Sequence, residues 1–339
     1  AQAVTGNVRL AGTLTARGAD AIGARFAGDV TGAMVVQGAI TATGYRYNAA
    51  PAGATRLDAD DLLQGGPAVL VEGNVTGGIV LAVPPRDASS TNNDEDGDGI
   101  DDAREGSAQI VSLGAAPAML IGATDRAITI GPVAGTASGY GLQVDGRIGG
   151  DGVYAGVNAS GLVIGGRGGA VSVANGIGIA GSVTASSNGA SATALRLGAG
   201  ASTPVLQVSG TVEARGGNAA AAQTTAVAID AGGNLPIIRN SGTIRATVGG
   251  ADGNATAIVD RSGTVALLEN SGTIAATGAT ATSTRNVAID LSANNGGVII
   301  RQTPVAAGIA APSITGDIRL GAGNDRVELA DGLLAGTVQ

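Results

Sequence analysis

A run of self-similar segments between Val208 and Gln302 constrains this chain more than anything else in it. Ser209-Gly210-Thr211-Val212, Ser241-Gly242-Thr243-Ile244 and Ser271-Gly272-Thr273-Ile274 follow one another at a nearly constant spacing. A second column, Ala228-Ile229-Asp230, Ile258-Val259-Asp260 and Ala288-Ile289-Asp290, repeats with the same period, and so do Asn240 and Asn270. A fixed period of this size marks a solenoid, in which no unit buries its apolar face alone and neighbouring units complete the core. Each unit holds short runs rich in β-branched residues, such as 243–247, 255–260 and 264–270, bounded by Gly, Asn or Ser. Nothing in it has the length and period of an amphipathic helix. The sequence therefore predicts an all-β chain: a single right-handed parallel β-helix with three short strands per coil, about 30 residues per coil and roughly ten coils.

Degenerate copies of the Gly corner occur at residues 11–14, 27–30, 37–40, 72–75, 145–148, 180–183 and 315–318. They are expected to be one corner repeated, with Gly supplying the positive φ of a tight turn. Asn240 above Asn270 is expected to pair side-chain amides in a ladder. The chain has 339 residues, 59 of them Gly, and is 44% hydrophobic but 1% aromatic, so thin layers of Ala, Val, Ile and Leu must fill the core. The repeat merges what length alone would divide into several domains. The expected organisation is 1–83 as the first coils, 84–108 as an acidic insertion opened by Pro84-Pro85, and 109–339 as the continuation of the same β-helix.

Chemistry is restricted by what is missing. With neither His nor Cys, no Ser-His-Asp or Cys-His catalytic set and no His-bearing zinc site is available, and disulfides are excluded. The net charge of −8 argues against nucleic acid and anionic lipid as partners, and all 19 basic residues are Arg, scattered singly. No segment reads as a membrane span, so direct membrane insertion is not expected. Ala1-Gln2-Ala3 is consistent with the residue of a cleaved signal peptide. Carboxylate chemistry remains, and Asp230, Asp260 and Asp290 are expected to stack on one face at a strand spacing of roughly 4.8 Å. The plainer reading is that they end strands and accept hydrogen bonds from turn amides, because residues repeated on every coil belong to a scaffold. On that reading no catalytic residue is assigned and the chain is not an enzyme. Thr211, Thr243 and Thr273 give only a fragment of the Thr rank that an ice-binding solenoid needs. Residues 320–325 match a single nonapeptide of a calcium β-roll, and one copy is too few to share ligands between turns.

The insertion is more specific. With Asp94 as the first place, Asp94, Asp96, Asp98, Asp102 and Glu105 fall at places one, three, five, nine and twelve, Gly99 at six and Ile100 at seven. That is calcium-loop spacing, with the Ile100 carbonyl as the backbone ligand and Gly99 allowing the sharp turn. Residues 94–105 hold seven acids and one Arg, a net −6. One structural Ca²⁺ of extracellular-type affinity is the expectation.

The Asn-Ser-Gly-Thr-Ile corners, the Ala-Ile-Asp column and the terminal Leu320-Gly-Ala-Gly-Asn-Asp-Arg-Val327 resemble passenger domains of alphaproteobacterial autotransporters, proteins of type V secretion. Gly78-Ile-Val-Leu-Ala-Val-Pro-Pro85, the acidic loop and Ser112-Leu-Gly-Ala-Ala-Pro-Ala-Met-Leu-Ile121 resemble the sphingomonad type. The resemblance implies a β-helix exposed on the bacterial cell surface or released, with an outer-membrane β-barrel belonging to the same precursor. The expected function is non-enzymatic, structural or adhesive, with coil stacking between copies into homo-oligomers or filaments. The alternative is a carbohydrate-active β-helix enzyme.

Overall fold

The computed structural model describes residues 2–50, 56–97 and 99–339. Every strand pairing among them is parallel, and strands stack coil upon coil in order, which makes the chain a parallel β-helix. Two columns of strands share the 18-stranded sheet. One begins with the first half of Val8–Arg17 and ends at Arg326–Leu329, and the other begins with its second half and ends at Leu333–Ala335. A third column of nine strands runs from Ala24–Phe26 to Asp317–Arg319, and a short fourth holds Ile128–Ile130, Val171–Val173 and Ala201–Ser202.

Alternation along each strand decides which side chains enter the coil. In the first column Met34, Ile79, Leu142, Ile177, Leu206, Ile238, Leu268 and Ile300 lie in register, and all are fully buried. In the second, a large residue is followed two places later by a small one: Val183 by Ala185, Val212 by Ala214, Ile244 by Ala246, Ile274 by Ala276. The coil is thinnest at the small position. At Gly150, in register with Ala185, an added Cβ would lie 2.0 Å from the Ser160 carbonyl oxygen of the third column. No ring fits at that place.

The expected positive φ is present at Gly12 (85°) and Gly316 (115°), but the corner glycines of the clean repeats serve another purpose. Gly210, Gly242 and Gly272 do not have positive φ. They are glycine because the chain of the preceding coil touches them: a Cβ on Gly242 would lie 2.1 Å from the Gly210 oxygen, and one on Gly272 would lie 2.2 Å from the Gly242 oxygen. The degenerate copies also fall at three different corners. Gly38, Gly146 and Gly181 share the bend between the first two columns, Gly28 and Gly73 stack beyond the third, and Gly316 lies between Ser313–Thr315 and Asp317–Arg319.

Coil length varies more than the clean repeats suggest. From Ile238 to Leu268 the first column advances by one clean repeat, but the step from Met34 to Ile79 is half as long again and that from Ile79 to Leu142 is twice as long. The surplus leaves the coil as loops. Residues 82–97 and 99–108 belong to one, bounded by Ile79–Leu81 and Gln109–Leu113 and holding the 3₁₀ turn Asp102–Arg104. Residues 44–50 and 56–66 belong to another. It is pinned by Tyr45, which is fully buried, donates its hydroxyl to the Gly152 carbonyl at 2.9 Å and packs edge-on against Tyr154 at 4.7 Å.

Candidate functional site

The aspartate column does not form one face. Ile229, not Asp230, pairs with Asp260, and Val259, not Asp260, pairs with Asp290. Each coil of the third column is one place longer than the spacing at which the sequence match recurs, so each Asp is displaced by one place, and one place reverses a side chain's direction. Asp260 points inward and is 1% exposed. Its carboxylate accepts from the Ser262 amide and hydroxyl at 2.8 and 2.5 Å, from the Gly263 amide at 3.1 Å and from the Val265 amide at 2.9 Å. Asp230 and Asp290 face outward. Asp230 lies between Arg196 at 2.5 Å and Arg261 at 3.4 Å, and Asp290 meets Arg319 at 3.5 Å. The expected single-face stack is thus overturned, and each carboxylate has a structural partner.

Those contacts belong to a pattern the sequence did not reveal. Several arginines reach a carboxylate on an adjacent coil. Arg239 meets Glu269 at 2.9 Å, Glu269 meets Arg301 at 3.4 Å, and Arg301 meets Glu328 at 2.6 Å, giving alternating charge along consecutive outward positions of the first column. The neighbouring Arg301 holds the Glu328 carboxyl below the usual range despite partial burial, and Glu328 raises the Arg301 guanidinium in turn. A guanidinium fork bridges carboxylates on neighbouring rungs better than an ammonium point charge does, which gives the all-Arg composition a physical reason. The sequence signal is an Arg and an acid one coil apart, recoverable only with the register in hand.

In the insertion, Asp94 Oδ2 accepts from the Gly99 amide at 2.9 Å, and Asp102 Oδ1 accepts from the Glu95 amide at 3.3 Å. Asp101 caps the 3₁₀ turn by accepting from the Ala103 amide. Asp96 and Ile100 lie in the same loop, and Asp98 lies outside the described residues. Glu95, not singled out in the sequence, shares a hydrogen bond with Asp102, which together with partial burial raises its carboxyl pKa. Glu105 also reaches the β-helix. Its fully buried side chain accepts from Arg9 at 3.1 Å and from the Gln37 amide, tying the end of the loop to the first two coils.

A second acidic group lies in the 44–66 loop. Carboxylate oxygens of Asp58, Asp60 and Asp61 come within 4.8 Å of one another, and Arg46 meets Asp61 at 3.4 Å. Asp58 and Asp60 share a hydrogen bond that lowers the first and raises the second. Residues 320–325 form a turn against the preceding coil, with Asp325 accepting from the Val298 amide at 2.9 Å. Thr211, Thr243 and Thr273 stack in register, half-buried, and the row passes to Ser182 on one side and Ser313 on the other.

No helix among the described residues is long and apolar enough to cross a membrane, which says nothing of spans made by strands. Comparison with protein-family models, with curated proteins and with solved structures found no match.

Proposed function

We propose that this chain is a non-enzymatic structural or adhesive β-helix of the bacterial surface, the passenger part of an autotransporter, whose copies stack coil on coil. What supports stacking of the 339-residue chain is the make-up of its first and last described coils. Val8–Arg17 pairs on one edge only, as do Arg326–Leu329 and Leu333–Ala335. Large apolar side chains are exposed there: Leu14 at one end, and at the other Leu329, which is 50% exposed, Leu333, which is 60% exposed, and Val338. Continuing the first-column register by one rung sets Val8 on Val327, Arg9 on Glu328 and Leu10 on Leu329. Apolar then meets apolar and the charge alternation is kept. A head-to-tail contact of this kind does not close and grows filaments. Sedimentation of the 339-residue chain should show concentration-dependent association that Leu329→Asp with Leu333→Asp abolishes; compact monomers at every concentration contradict the stacking.

The same reading gives the insertion a calcium ion, held by Asp94, Asp96, Asp98, Asp102, Glu105 and the Ile100 carbonyl. The seven acids between residues 94 and 105 favour a cation there, since carboxylates gathered in a loop repel one another without one. Calorimetry should find one site with affinity on the order of 10⁻⁴ to 10⁻³ M, removed by Asp96→Ala with Asp98→Ala. Absence of calcium binding, together with unchanged proteolysis of the loop, leaves an acidic spacer.

A further inference from the structure

On one stretch of the outer surface the repeat is broken by side chains that the fold does not use. Asp145 occupies the corner place that Ala180, Ser209, Ser241 and Ser271 hold on later coils. Its amide donates to the Leu81 carbonyl just as the Ser209 amide donates to Ile179 and the Ser241 amide to Val208, so the backbone of this corner is satisfied whichever side chain it carries. The Asp145 carboxylate has no hydrogen-bond or ion-pair partner among the described residues, and burial holds its carboxyl above the usual carboxylate range. On other coils, carboxylates such as Glu269 in the first column and Asp230 beyond the third are met by arginines from adjacent coils.

An aromatic ring lies beside it. Outward positions of the first column read Gln143, Gly178 and Gln207 on three successive coils. The Tyr140 ring covers the glycine: a Cβ on Gly178 would fall 2.7 Å from its Cδ2, and one on Gly176 would fall 2.9 Å from its Cδ1. The ring is held by its loop, in which Val133 donates to the Tyr140 carbonyl at 3.2 Å and Asn175 donates to the Gly139 carbonyl at 3.0 Å. Gln143 Nε2 is engaged by Thr136 at 2.8 Å, which leaves its Oε1 to accept, and the Gln207 amide makes no protein hydrogen bond among the described residues. Together with Ser209, these groups line a groove of about 170 Å³.

We propose that this groove binds one residue of a neutral saccharide. A sugar ring offers an apolar face of C–H groups to the half-exposed Tyr140 and paired hydroxyls to the Asp145 carboxylate. Its remaining hydroxyls find the amides of Gln143 and Gln207 and the Ser209 hydroxyl on either side. A few convergent polar groups beside an apolar platform are the usual make-up of a small-ligand site. The unpartnered carboxylate rejects acidic sugars by repulsion. Binding here involves no bond making or breaking, and it does not depend on coil stacking, which oligomeric state reads separately.

The test is calorimetric titration of the full chain with neutral oligosaccharides (gluco-, manno- and galacto-series), with oligogalacturonate as the acidic arm and agmatine as the cationic arm. The expected result is binding of at least one neutral series and none of oligogalacturonate. Asp145→Ala should weaken that binding about tenfold or more, the scale of hydrogen bonds to a charged acceptor. Tyr140→Ala should weaken it similarly, while Tyr140→Phe should not. Asp145→Ala should melt like the parent, because Ala180 and Ala82 hold the equivalent place on neighbouring coils, so it decides the matter even if Tyr140→Ala disturbs its loop. The proposal is overturned if no neutral series binds, if Asp145→Ala binds as the parent does, or if agmatine competes for the groove more tightly than any sugar.

Discussion

Asn240 donates its Nδ2 to Asn270 Oδ1 at 2.8 Å, inside the coil and away from water. Asn270 in turn donates to Gln302 Oε1 at 3.1 Å, and Gln302 donates to the Asp331 carbonyl at 3.1 Å. A column that reads Leu81, Val144, Ile179 and Val208 on earlier coils thus becomes a hydrogen-bonded amide ladder on later ones. The upper end is incomplete. Asn240, in register with Val208, has a buried Oδ1 with no partner among the described residues. Asn270→Ala breaks the ladder in the middle, leaving Asn240 and Gln302 each short of a buried partner, and should cost about 2 kcal/mol or more. Because a solenoid need not unfold in one step, hydrogen exchange of amides in 237–240 and 299–302 is the suitable measurement, and it should speed up on both flanking coils.

The corner glycines give a second prediction. Gly242→Ala places a methyl group 2.1 Å from the Gly210 oxygen, so adjacent coils must separate locally, at an expected cost of about 2 kcal/mol or more. Gly296→Ala meets nothing within 4 Å and needs no positive φ, so it should leave the melting curve unchanged or slightly raised.

The two environments of the aspartate column predict unequal costs. Asp260→Ala strands the buried amides of Gly263 and Val265 and should cost about 3 kcal/mol. Asp230→Ala removes surface ion pairs to Arg196 and Arg261 and should cost under about 1 kcal/mol. Denaturant titration of the two variants side by side measures the difference.

Acid stability has an identifiable contributor in Glu72. Burial disfavours its charge, but Arg25 at 2.7 Å and Arg167 at 2.8 Å outweigh that and hold its carboxyl below the usual glutamate range. A carboxyl with a depressed folded-state pKa stabilises the fold above its unfolded value and loses that contribution as pH falls through the depressed one. Glu72→Gln should therefore lower stability near neutral pH and flatten the decline below about pH 4, as followed by melting temperature against pH.

Where identical residues recur on neighbouring coils, the sequence was legible: the strands, the apolar layers and the Asn240–Asn270 pairing all follow from the repeat. What stayed hidden depends on loop lengths, which periodicity does not fix. The path from Thr243 to Ala255 is one place shorter than the path between their partners, Thr273 and Asn286, and that extra place moves the third column out of step with the second. Asp260 consequently turns inward, against the expectation of one shared face. The Arg–carboxylate ladder was illegible for the same reason, since each partner is a whole coil away. The Tyr140–Asp145 groove is invisible to periodicity, because its defining residues are departures from the repeat.

The register of the third column is the most direct thing to measure, since the coil geometry and every outward site depend on it. The chain has no cysteine, so engineered pairs are unambiguous. With Ile229 opposite Asp260, residue 230 stands beside 261 on the outer surface, as the Arg261–Asp230 contact at 3.4 Å requires. Under mild oxidation, Asp230→Cys with Arg261→Cys should form an intrachain disulfide in the folded protein, and Asp230→Cys with Asp260→Cys should not, because the second pair points to opposite faces. Crosslinking of the 230/260 pair and not of 230/261 would contradict this account.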